Sequence, residues 1–168
     1  MRWLLVLFMT CTAVGCAAQQ ADTLHRPPYN RGFHRDEVTL LTGYHQGRHG
    51  FAELGVGRSI YGMMHHPFGF SYYAGAEVRV DRPELWGVKV GSYMTGGSAL
   101  GVQLIHYMEG GRSMQVFRPE IGIGIFKAKL TYAYNVRLSG EHLEGVNTHM
   151  VSLTYAFRVV KLRERTTY

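Results

Sequence analysis

A two-residue alternation recurs eight times along this chain, and from the second repeat to the last it sorts bulky apolar side chains from small or polar ones, with Arg58 an exception. In the last repeat His149, Val151, Leu153, Tyr155, Phe157 and Val159 share one face, opposite Met150, Ser152, Thr154, Ala156 and Arg158. The preceding repeat sets Ala128, Leu130, Tyr132, Tyr134, Val136 and Leu138 against Lys127, Lys129, Thr131, Ala133, Asn135 and Arg137. A period of two is the side-chain period of a β-strand. The pattern predicts strands at 37–45, 50–60, 71–80, 85–94, 98–108, 113–125, 127–138 and 148–159. Turn residues separate them, and no connection leaves room for a crossover helix, so the expected topology is an antiparallel meander. The 21 glycines are scattered without a three-residue period and speak against a helical bundle, while 46% apolar content speaks against disorder.

The chemistry of the two faces sets the expected architecture. One face is Val, Leu, Ile, Phe and Tyr; the other is Gly, Ala and Ser with isolated charges of both signs. Long charged side chains would cover a solvated face, whereas small residues with a few paired ions suit the narrow interior of an eight-stranded barrel. The bulky face then looks outward, where lipid is its natural neighbour. Strands of about ten residues have the length that a tilted strand needs to cross a bilayer. The expectation is therefore all-β: a single eight-stranded antiparallel up-and-down transmembrane β-barrel over residues 36–160. Its interior polar network is expected to comprise Glu53, Glu77, Arg79, Lys89, Glu120, Lys129 and Arg137. Unpaired charge in such a space is costly, so these groups are read as an ion-paired filling, with a selective passage as the second reading.

The first 18 residues carry Arg2, an unbroken apolar run from Trp3 to Met9 and small residues through Ala18, the pattern of a secretory signal peptide. An N-terminal membrane anchor is the alternative. Cleavage after Ala18 would remove both Cys11 and Cys16, whereas Ala13-Val14-Gly15-Cys16 also reads as a degenerate lipoprotein signal that would leave Cys16 as a lipidated first residue. Residues 19–35, with Pro27-Pro28, read as a polar leader, and 161–168 as a short polar tail.

The runs Arg118-Pro119-Glu120-Ile121-Gly122-Ile123-Gly124, Leu130-Thr131-Tyr132-Ala133-Tyr134-Asn135 and Val151-Ser152-Leu153-Thr154-Tyr155-Ala156-Phe157 resemble the small outer-membrane β-barrel proteins of Gram-negative bacteria, more loosely a Bacteroidota type. The resemblance implies a bacterial outer-membrane location, contact with outer-membrane lipid, and handling by periplasmic chaperones and the barrel-assembly machinery. It implies no single activity. The chain departs from the group by continuing for eleven residues beyond Phe157.

Chemistry-bearing motifs are sparse. His65-His66 and the pair His45 and His49 lack a disciplined ligand set, so neither a metal nor a cofactor is expected. Ser152, His149 and Glu144 or Glu141 have the residue types of a hydrolytic triad, but Ser152 and His149 fall on opposite faces. No helix follows Gly55, Gly57, Gly122 or Gly124 to receive a phosphate. The basic excess is scattered apart from Arg163 and Arg165, so no nucleic-acid partner is expected. The leading functional expectation is an integral outer-membrane barrel with a structural or surface-interaction role and no catalysis. The alternatives are an outer-membrane enzyme modifying lipid or lipopolysaccharide, and a soluble periplasmic barrel holding a small apolar ligand. The last requires the Val-Leu-Ile-Tyr face to point inward.

Overall fold

The structure is a computed structural model that describes residues 32–63 and 66–167. The stretch expected to be a signal peptide, most of the expected leader, and Cys16 lie outside the described residues. Eight strands follow one another in the chain: β1 (Gly32–Gln46), β2 (Gly50–Met63), β3 (Pro67–Arg79), β4 (Trp86–Glu109), β5 (Arg112–Ile125), β6 (Ala128–Tyr134), β7 (Val136–Gly140) and β8 (His149–Thr167). Every pairing is antiparallel. The hydrogen-bonded order is β4-β3-β2-β1-β8-β6-β5-β7, and β4 also pairs with β5, so the ladder returns on itself.

β4 makes that closure possible because it is two arms. Residues 86–95 pair with β3 and residues 97–109 with β5, and Gly97 has φ of 92° between them. The arms lie side by side: a Cβ on Gly91 would stand 3.0 Å from Gln103 Cγ, and one on Gly101 would stand 3.2 Å from Tyr93 Cβ. Counting the arms separately gives nine strand segments. The β4–β5 connection is equally dependent on glycine, since Gly110 and Gly111 have φ of 56° and 85°, the pair of positive values that a two-residue hairpin turn requires.

The regular eight-stranded transmembrane barrel expected from the sequence is not what these strands form. Their hydrogen bonds make a ring, but the strands do not stand evenly round one axis. Three local features accompany this unevenness. The strand expected over 127–138 is interrupted at Asn135, leaving β7 paired to β5 alone. Register shifts fall between Asp36 and Glu37 and between Val38 and Thr39 where β1 meets β8, and a shifted register bends a strand and raises its twist. Finally, β1 begins at Gly32, within the stretch read as leader, and β8 runs to Thr167, through the stretch read as tail; the two pair from Gly32–Thr167 onward.

Inside the ring, side chains are layered by chemistry. Near the β3–β4 and β7–β8 loops, Phe51, Leu85, Ile105, Tyr107, Met114, Val116 and Leu143 form an apolar cluster. Leu143 comes from the β7–β8 loop and is fully buried, so that loop inserts its own apolar residue among strand side chains. Near the β5–β6 turn, Phe126 lies 5.8 Å from Phe33 and 5.9 Å from Tyr61, ring centre to ring centre. Ions, hydroxyls and a smaller cluster of Leu41, Tyr73, Tyr93 and Ala156 occupy the space between.

Candidate functional site

The interior ion network is centred on Glu77. Arg118 reaches it with two nitrogens, Nη1 to Oε2 at 2.9 Å and Nη2 to Oε1 at 2.8 Å, the paired geometry that suits a planar guanidinium and a carboxylate. Lys89 Nζ lies 2.6 Å from the same carboxylate and the Tyr107 hydroxyl donates to it. The positive charges of Arg118 and Lys89 offset the cost of burying the Glu77 carboxylate. Arg118 also donates from Nε to Asn135 Oδ1 at 2.7 Å, so the residue that interrupts β6 and β7 anchors the network.

Two further carboxylates complete the balance. Glu53 stands between Lys89 Nζ at 3.0 Å and His45 Nε2 at 2.8 Å. Glu120 accepts from Gln103 Nε2 and Lys129 Nζ, while Lys129 also sits 4.7 Å above the Tyr93 ring. Glu53, Glu77 and Glu120 thus face Lys89, Arg118 and Lys129, three charges of each sign. His45, fully buried, joins the network with Nε2 3.3 Å from Lys89 Nζ.

Of the seven residues expected inside, the structure brings five into this network: Glu53, Glu77, Lys89, Glu120 and Lys129. Arg79 is buried but turns to the rim, where Nε and Nη2 each lie 2.7 Å from a carboxylate oxygen of Asp81 in the β3–β4 loop. Arg137 is exposed, because it follows the break at Asn135 and no longer keeps the inward phase of β6. Sequence reasoning missed Arg118 and His45 as members. The alternation does place Arg118 beside Glu120 on the small face; its centrality depends on Glu77, 41 residues away.

The hydrolytic triad weighed from the sequence does not assemble. His149 lies on the outward face, its ring 4.9 Å from Tyr134. Ser152 meets His45 instead, Oγ to Nδ1 at 2.8 Å, with Glu53 on the far imidazole nitrogen. Serine, histidine and carboxylate are therefore adjacent, but Ser152 and His45 are both 0% exposed, which keeps substrate from the hydroxyl. Among the described residues no group of three or more His, Cys, Asp or Glu is placed to hold a metal ion. His65 lies outside the described residues.

The outer face is apolar on each of the eight strands, from Tyr44 on β1 to Leu162 on β8. Ile123 is 64% exposed, and the bulky residues that the small-ligand reading needs inside point away from the interior. That reading is corrected: ions and tyrosines occupy the centre. Between strands the outer face has shallow apolar hollows, one of about 510 Å³ lined by Phe70, Met94, Leu100, Val102, Ile121, Tyr132 and Tyr134 among others.

Charge at the two ends is unequal. At the end carrying the β1–β2, β3–β4, β4–β5 and β7–β8 connections, Arg48, Arg79, Arg82, Arg112 and Arg137 are matched by Asp81, Glu84, Glu109, Glu141 and Glu144. At the opposite end Arg35, Arg58, Lys127, Arg158, Lys161, Arg163 and Arg165 face only Asp36, Glu37 and Glu164. The basic excess that reads as scattered along the sequence is gathered by the fold at one end.

These features define an all-β protein with a closed hydrogen-bonded sheet, an ionic interior and an apolar exterior. Comparison with protein families, curated proteins and solved structures gives no match. The resemblance to small outer-membrane barrel proteins is thus unsupported by any relative, and the uneven sheet contradicts its regular barrel. The outer-membrane location and integral-barrel role expected from it lose their structural basis with it. The described residues contain no helix long and apolar enough to cross a membrane, which concerns helices alone.

Proposed function

We propose that this protein works in contact with lipid, its outward face meeting acyl chains. The supporting observation is the distribution of exposed large apolar side chains over all eight strands. A protein partner or a second copy would cover one patch of such a surface, whereas fluid chains adapt to all of it. Exposed apolar area of this extent costs about 25 cal/mol per Å² in water, and transfer to hydrocarbon removes that cost. The interior ions serve the fold: they are balanced, buried and paired across the interior as well as between neighbouring strands.

Trp86 provides the test, since it lies on the outward face at 41% exposure. In a Trp3→Phe background it is the only tryptophan. Lipid brominated along its acyl chains is expected to quench Trp86 fluorescence strongly, while an aqueous quencher acts weakly. A monodisperse protein in plain buffer whose Trp86 ignores brominated chains would overturn the reading.

A further inference from the structure

We infer that the end of the molecule formed by the close of β8 binds the phosphate of anionic lipid headgroups. The inference rests on the lipid reading above and adds a headgroup class and a location to it.

Three observations carry it. First, the net charge of the described residues resides at this end alone, because the other end and the interior each balance. Second, the excess survives local pairing. Glu164 serves both Arg35 at 2.7 Å and Lys161 at 2.6 Å, Asp36 pairs with Arg58, and Glu37 takes Lys127 with Arg158 at 3.8 Å. Three carboxylates are thus shared among five cations, and Arg163 and Arg165 add to the surplus. Third, the cations adjoin the apolar face on the same strand. Val159, Val160 and Leu162 are at least half exposed and interleave with Lys161 and Arg163, so apolar contact passes into positive charge within a few residues. A surface that turns from apolar to basic along one strand matches a lipid that turns from acyl chain to phosphate. Clustered Lys and Arg beside an apolar segment are attracted to anionic lipid in this way.

The experiment places a tryptophan at each end of the full chain. One protein keeps Trp86 with Trp3→Phe; the other carries Leu162→Trp with Trp3→Phe and Trp86→Phe. Each is reconstituted in mixtures of phosphatidylglycerol and phosphatidylcholine with equal chains, bromine being on one lipid or the other. At the Leu162→Trp reporter the phosphatidylglycerol form is expected to quench several-fold more effectively. Half-molar salt, or Lys161→Gln with Arg163→Gln and Arg165→Gln, should abolish the preference. Trp86 should quench equally with both lipids, and neutralising Arg48, Arg82 and Arg112 should leave the β8 preference intact. Equal quenching by the two lipids at Leu162→Trp, the same preference at both ends, or a preference indifferent to the three β8 substitutions would each overturn the inference. Absence of quenching at Trp86 by either lipid would instead defeat the lipid reading itself, so the two failures are distinct.

Discussion

Arg118 grips Glu77 across the interior with two hydrogen bonds of 2.9 and 2.8 Å although 41 residues separate them in the chain. Both side chains are fully buried. Loss of one partner leaves the other charge buried and uncompensated, which typically costs about 3–5 kcal/mol. Arg118→Met is therefore expected to destabilise the protein by about that amount in denaturant unfolding in micelles. Arg137→Gln, an exposed member of the set predicted from sequence, should change stability by less than about 0.5 kcal/mol. Equal effects of the two substitutions would remove Arg118 from its central place.

The β7–β8 loop is held by Asn147 as well as by Leu143. Asn147 accepts from the His49 backbone nitrogen at 2.9 Å and donates to the His49 carbonyl at 2.6 Å, tying the loop to the β1–β2 turn. Asn135 in turn donates to the Asn147 carbonyl at 2.6 Å. Asn147→Ala removes two of these bonds and is expected to cost about 1–3 kcal/mol. Leu143→Ala opens a cavity in the apolar cluster and is expected to cost about 2–5 kcal/mol. Limited proteolysis should cut within residues 141–148 faster in both variants. Unchanged cleavage would show that the loop is held by other contacts.

How far the sequence discloses this molecule follows from the range of each interaction. Alternation is local, so the small and bulky faces, the approximate strands and five members of the ion network are readable from residue order. The fold of β4 at Gly96-Gly97 is also foreshadowed by its glycines. What stays hidden is set by distant pairing. Asn135 looks like one more inward residue, yet it ends β6 because Arg118 and Asn147 claim its side chain. Arg137 loses its inward phase as a consequence. Residues 161–167 read as a charged tail because no period marks them, and they become strand because β1 supplies the partner. These same register features accompany the unevenness of the ring.

Gly75 tests how tightly that ring is built. Its partner across the β2–β3 ladder is Gly55, and a Cβ on Gly75 would stand 2.5 Å from the Leu54 carbonyl oxygen and 2.7 Å from Gly55 Cα. Both obstacles are backbone atoms in a paired strand, which cannot rotate aside as the end of a long side chain can. Relief requires the two strands to separate locally, weakening ladder bonds next to Glu53 and Glu77. Gly75→Ala is expected to destabilise by about 1–3 kcal/mol, a cost comparable to overpacking a core. Gly96→Ala is the control, since its nearest obstacle stands at 3.2 Å. Unfolding measurements on the pair should show the larger loss at Gly75; the reverse order would mean that the β2–β3 ladder yields more readily than its close backbone approach implies.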